Sequence, residues 1–241
     1  MRQGRRGRVL IAAAGLALIA IFVALGAWQV QRLAWKTQLI AQVEARVHAA
    51  PAPAPGPGLW AAVSREQDQY RRVAVRGTFD HDRETLVQAV TELGPGFWVL
   101  TPMRTEQGFT VLINRGFVPG DRRAPGSRRA GEVAGERAVV GLLRITEPHG
   151  GFLRANDPAG DLWRSRDVAA IAAKRGLVDA APYFIDADAA PNPGGWPRGG
   201  LTVVKFANSH LVYAITWFGL ALGVVAALGF VLRVQRGGDE P

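Results

Sequence analysis

The sequence predicts a membrane protein. Two transmembrane α-helices, one N-terminal and one C-terminal, flank a β-rich α+β extracytoplasmic domain folded as an antiparallel sheet or partly closed barrel. Three observations carry this expectation. Val9–Val30 and Leu211–Leu232 each run for more than twenty residues without Asp, Glu, Lys or Arg. At ~1.5 Å per residue each is long enough to cross a bilayer. Between them, several short segments alternate apolar and polar residues, the period of a half-buried strand.

Residues 1–8 form a basic N-terminus, with Arg2, Arg5, Arg6 and Arg8 ahead of the first span at 9–30. A cleavable signal peptide is the competing reading, since Ala24 and Gly26 suit the −3 and −1 positions of a cleavage site. The length of the run and Trp28 at an interfacial position favour an uncleaved anchor. Arg5-Arg6 is a poor twin-arginine signal, because Arg8 stands where an apolar residue belongs. Arg233 and Arg236 follow the second span, so the positive-inside tendency puts both termini in the cytoplasm and the intervening domain in a periplasm-like compartment.

Past the first span, Trp35, Leu39, Val43 and Val47 keep a spacing of four, which extends the helix over 31–50. Alternate prolines at Pro51, Pro53, Pro55 and Pro57 read 51–58 as an extended linker. The periplasmic domain then occupies 59–207. Arg72–Phe79 and Thr85–Val90 read as a hairpin turning through Asp80-His81-Asp82, and Phe97–Met103 with Phe109–Phe117 as a second hairpin turning at Gln107-Gly108. Further strands are expected at Ala138–Ile145, Pro182–Asp186 and Leu201–Phe206. A helix is expected after Ser165 as cap, with Val168, Ile171 and Ala172 facing inward and Gly176 closing it. Asp121–Arg137 shows no alternation and reads as an exposed excursion. The second span belongs to 208–232 and the cytoplasmic tail to 233–241.

Composition excludes several classes of function. A net charge of +9 would suggest nucleic acid in a soluble protein, but six of the arginines flank spans and no nucleic-acid motif is present; no nucleic-acid partner is expected. The absence of cysteine rules out thiol redox chemistry, Fe–S clusters and covalent haem attachment. The only methionines are Met1 and Met103, which disfavours a copper(I) carrier. No hydrolase, kinase, zincin or dinucleotide motif occurs. Asp80, His81, Asp82 and Glu84 form the densest polar group. As a metal site they compete with an ordinary solvated turn, which is the better reading. Arg115, between Asn114 and Gly116, could hold an anion, but an ordinary strand arginine beside a glycine bulge is the better reading.

The membrane ends are more informative. His210, Tyr213, Ala214 and Trp217 share one helical face, at i, i+3, i+4 and i+7. Trp28, Gln31, Arg32 and Trp35 share another, at the same end of the antiparallel first span. The pair offers an imidazole among large rings, a surface for a planar macrocycle. Taken alone, the same residues read as aromatic girdles with His210 and Arg32 as interfacial polar anchors.

Gly26-Ala27-Trp28-Gln29-Val30-Gln31-Arg32-Leu33-Ala34-Trp35-Lys36 resembles the entry signature of the surfeit locus protein 1 family. Asn114-Arg115-Gly116-Phe117-Val118-Pro119 and Asn208-Ser209-His210-Leu211-Val212-Tyr213-Ala214-Ile215-Thr216-Trp217 resemble its central and exit signatures. Pro182–Asp186 and Pro197–Gly200 fit the pattern between them. The resemblance covers nearly the whole chain in order. It implies a non-enzymatic assembly factor of haem-copper terminal oxidases in a bacterial plasma membrane. Its implied cofactor is transient haem a, and its implied partners are the oxidase catalytic subunit, the haem a synthesis machinery and the bilayer. The exit-motif histidine, here His210, is implied as axial ligand of the haem iron. Tyr213, Trp217, Trp28, Gln29 and Arg32 complete the expected cofactor-binding set. Phe117, Ser209 and Val212 depart from the usual Trp, Asn and Gln of the family. A scaffold without haem and a membrane-tethered enzyme with its site near His81 or Arg115 remain alternatives.

Overall fold

The computed structural model describes residues 2–151 and 154–237. Met1 and residues 238–241, the ends of the expected basic N-terminus and cytoplasmic tail, lie outside the described residues. The chain divides into two compact units, residues 1–42 with 205–241 and Val43–Val204.

The first unit is built on two long helices. Helix α1 runs unbroken from Arg2 to His48, so the expected extension beyond the span is present, and its C-terminal turn carries Arg46 and His48. Helix α4 spans His210–Gly237. Both are long and apolar enough to cross a membrane. Their outward side chains are bare: Val9, Leu10, Leu222 and Phe230 are exposed. Helices apolar all round belong in a protein core or in lipid, and no protein covers these.

In the second unit, β1 (Ala52–Pro53), the single turn α2 (Arg65–Asp68), β2 (Arg72–Phe79) and β3 (Thr85–Thr91) precede β4 (Gly94–Thr105) and β5 (Thr110–Pro119). Strand β6 (Glu136–Ile145), helix α3 (Val168–Arg175) and β7 (Ala180–Ala187) complete the set. The sheet order is β1-β2-β6-β7-β5-β4-β3, and an added β2–β4 pairing closes β2, β6, β7, β5 and β4 into a five-stranded barrel. All its pairings are antiparallel except β5 with β7. Closure depends on Gly77, where a Cβ would lie 2.2 Å from the Arg104 carbonyl oxygen.

Period-two alternation assigns the two cores. Val73, Val75, Met103, Val111, Ile113, Leu143, Tyr183 and Ile185 come from all five barrel strands and fill its interior. The intervening Leu112 and Phe184 face outward, where Val87, Leu100, Trp163, Val168 and Ile171 join them in a second cluster under α3. Strand β5 is therefore buried on both faces. Helix α3 ends, as expected, at Gly176, whose φ of +60° needs no side chain.

Five local expectations are corrected. Strands β2 and β3 do not pair: a short turn at His81–Arg83 redirects the chain, β2 joins β6 and β4, and β3 joins β4. The proline-rich segment is extended but is no free linker. Ala52 and Pro53 pair in parallel with β2, Ala54 enters the barrel core, and the Pro55 carbonyl accepts from Tyr183 Oη at 2.7 Å and Trp60 Nε1 at 3.0 Å. Residues Leu201–Phe206 form no strand; a closed barrel leaves no inner edge for them. The cap of α3 is Asp167, accepting from Ala170 N at 3.2 Å, while Ser165 Oγ donates to the Glu147 carbonyl at 2.6 Å. Finally, Arg128 in the excursion is buried, because it makes a two-pronged ion pair with Glu84.

Candidate functional site

Within the helical unit, small residues let α1 and α4 approach. Ala214 and Ala221 are buried. A Cβ on Gly26 would sit 2.7 Å from the Phe218 ring, and one on Gly15 3.0 Å from Leu228. Close backbone approach at small residues is the usual basis of helix pairing in lipid. Just beyond Gly26, Phe22 stacks on Trp217 with ring centroids 5.7 Å apart. Phe22, Gly26 and Gln29, at i, i+4 and i+7, thus form the face of α1 that meets α4.

At the end of this seam, His210 Nδ1 lies 2.7 Å from Gln29 Oε1. Gln29 is buried, whereas His210 is half-buried. An amide oxygen can only accept, so this contact calls for a proton on Nδ1, and a neutral ring would then present the Nε2 lone pair. No group among the described residues hydrogen-bonds to Nε2. The helix begins at His210, with Tyr213 N donating to the Ser209 carbonyl at 3.2 Å.

The structure brings together only part of the expected constellation. His210, Gln29, Ala214 and Trp217 lie along the helix seam. Trp28 and Tyr213 are about half exposed, at 52% and 53%. Arg32 is exposed and lays its guanidinium 4.5 Å from the centre of the Trp35 ring. The face of Trp28, Gln31, Arg32 and Trp35 is therefore not the one that meets α4. Neighbouring positions on a helix point about 100° apart, and the seam selects Gln29 instead of Trp28. The signal for this was in the sequence, in the small residues Gly26 and Ala214 one turn from Gln29 and His210.

The polar groups of the barrel unit are committed elsewhere. Among the described residues no three of His, Asp and Glu are grouped so as to hold a metal ion. Glu84 pairs with Arg128, and Asp80 with Arg83 at 3.4 Å. His81 Nε2 lies 3.1 Å from the Val133 carbonyl. Arg115 is buried in β5, and burial pushes its pKa below the ordinary arginine value. Sequence reasoning missed a buried network around Asp186. Its Oδ1 accepts from Asn114 Nδ2 at 2.7 Å and an Arg166 nitrogen at 3.2 Å. Its Oδ2 accepts from an Arg144 nitrogen at 2.5 Å and Thr202 Oγ1 at 2.9 Å. Burial pulls Arg166 down, but Asp186 and Glu147 outweigh it and hold the guanidinium above its usual value.

With this geometry in place, the chain was compared with known proteins. A family model described as "SURF1 family" matches residues 16–222. The chain belongs to the SURF1 family. "Surfeit locus protein 1" of Homo sapiens is 39% identical over 214 residues, covering 82% of this chain and 69% of the human protein. The Rattus norvegicus protein of the same name is 39% identical over 212 residues, covering 81% and 67%. A "SURF1-like protein" of Monosiga brevicollis is 36% identical over 238 residues, covering 93% and 88%. The SURF1 match begins inside α1 and ends inside α4, so it includes the whole barrel, Gln29 and His210.

Proposed function

We propose that this protein is an assembly factor for a haem-copper terminal oxidase. It would receive haem a from the synthesis machinery, hold it through His210 and pass it to the catalytic subunit. Haem a is cargo here, and no catalytic step is assigned to the protein. In this reading α1 and α4 are two membrane passes, both termini are cytoplasmic and the barrel unit is periplasmic, as the flanking arginines favour.

One observation supports the proposal: Gln29 lies against Nδ1 of His210, and among the described residues no group hydrogen-bonds to Nε2. Neutral imidazole is a common axial ligand of haem iron. The partner on the other nitrogen sets tautomer and ring orientation, as ligating histidines generally require. A chain with no cysteine and two methionines supplies no sulfur alternative near α4. The half-exposed Tyr213 and the Trp217 ring, one and two turns from His210, are the aromatic surfaces on the same helix face. A single protein ligand suits release better than two would.

The test is expression of the full chain in cells that make haem a, followed by purification and absorbance spectroscopy. Wild type should carry haem and His210→Ala should lose it while remaining folded in the membrane. Undiminished haem in that variant would sink the assignment. If no haem co-purifies with wild type while oxidase activity still depends on the protein, the function is that of a scaffold. The exposed apolar faces of α1 and α4 would then hold the nascent subunit directly.

A further inference from the structure

A cavity of about 310 Å³ opens in the barrel unit, between the start of β6 and the segment that follows β7. Its walls include Ile113, Val139, Val140 and Pro191, and Arg115 lines it from β5. Arg115 is 4% exposed. A guanidinium at that depth ordinarily has a carboxylate against it, because an unpaired buried charge is costly. Here no partner among the described residues is a carboxylate. One terminal nitrogen donates to the Gly131 carbonyl and, at 3.2 Å, to Asn192 Oδ1; the other stands 3.4 Å from His81 Nδ1. The Phe79 ring lies 5.0 Å away and also lines the cavity.

Nearby acids do not neutralise it. Glu84 and Glu132 act on Arg115 only from a distance, and Glu84 is already bound to Arg128. Asp188 also lines the cavity; its carboxylate accepts from the Ala190 backbone N–H at 3.2 Å and makes no ion pair with Arg115 among the described residues. Arg137, exposed, adds a second positive charge to the lining. The result is a pocket with apolar and polar walls in which, among the described residues, Arg115 has no carboxylate directly against it.

We infer that this cavity binds a small monocarboxylate with a short apolar body, its carboxylate on Arg115 and its hydrocarbon among Phe79, Ile113 and Val139. A carboxylate–guanidinium pair in a water-poor site is among the stronger hydrogen-bonded contacts, and the volume falls at the small end of ligand pockets. The inference does not rest on the haem reading, since every residue in it belongs to the barrel unit.

Equilibrium dialysis of radiolabelled hexanoate against the full detergent-solubilised chain tests it, with detergent alone as the blank. Wild type should take up one equivalent saturably, and 1-hexanol should not displace it. Arg115→Gln should weaken binding at least about tenfold, and Arg137→Gln about threefold. Ala190→Trp, which fills the cavity from an exposed position, should abolish uptake. Because Arg115→Gln risks unfolding, circular dichroism and a thermal melt accompany each variant. Absence of saturable uptake by wild type, or uptake unchanged in folded Arg115→Gln or in Ala190→Trp, would overturn the proposal. In that case Arg115 only pins the Gly131 and Asn192 loops.

Discussion

Two polar residues, the buried Asp186 in the barrel and the half-buried His210 between the helices, are treated in opposite ways. Each oxygen of Asp186 takes at least two donors, from Asn114, Arg166, Arg144 and Thr202. Among the described residues the ring of His210 has one hydrogen-bond partner, Gln29, on one nitrogen. A group whose hydrogen-bonding capacity is used up can hold elements together but cannot bind anything else. A group left half-satisfied contributes little to folding and keeps a position for a ligand. The difference marks Asp186 as structural and leaves His210 free for the binding role proposed above.

The largest expected effect tests the structural half. Asp186→Ala leaves the Arg144 and Arg166 guanidiniums buried with one carboxylate fewer, and should cost about 3–5 kcal/mol. Urea unfolding of the full chain, followed by tryptophan fluorescence, reads this. A loss below about 1 kcal/mol would mean that the network is slack, and the unpartnered Arg144 Nε would be its first sign.

Next comes Asp167→Ala, which removes the cap of α3 and should cost about 1 kcal/mol in the same assay, with Ser165→Ala acting through a different contact, the Glu147 carbonyl. Smaller again on stability is Gln29→Ala. An interhelical hydrogen bond in lipid is worth about 0.6 kcal/mol on average, so folding should barely change. If haem is bound as proposed, its affinity should nevertheless fall about 10–100-fold. A large stability loss with unchanged haem affinity would reverse the comparison.

The smallest effect comes from Glu136→Gln. Glu106 is held above its ordinary value, first by a hydrogen bond shared with the Glu136 carboxyl. The fold thus favours protonated Glu106, so the stability from this pair is present at low pH and lost as pH rises through the raised value. Glu136→Gln should therefore give a slight gain at neutral pH that disappears below the ordinary glutamate range. Melting curves across pH check it, and a gain that persists at low pH would contradict it.

Sequence legibility followed the range of the interactions. The β4–β5 hairpin was readable because Gly108, with φ +85°, turns the chain locally. The β2–β3 hairpin was misread because the partners of β2 lie in β6 and in the far end of β4, which alternation cannot show. Proline spacing announced an extended segment but not that Ala54 N would donate to the Ala74 carbonyl at 3.0 Å. At the site, His210 and Gln29 were both legible from the two signatures. The unused signal was the run of small residues that decides which helix face is inside. The Asp186 network was invisible, since it joins β5, β6, β7 and the segments carrying Arg166 and Thr202.

The most direct test of the account is the protonation pattern of the His210 ring. Two-bond proton–nitrogen correlation spectra of the full chain, labelled with nitrogen-15 histidine, report which nitrogen carries the proton. Assignment comes from loss of the signal in His210→Ala. The account predicts a neutral ring with the proton on Nδ1, reverting in Gln29→Ala to the Nε2–H form usual for free imidazole. A proton on Nε2 in wild type would contradict it, because the nitrogen assigned to the ligand would not be free.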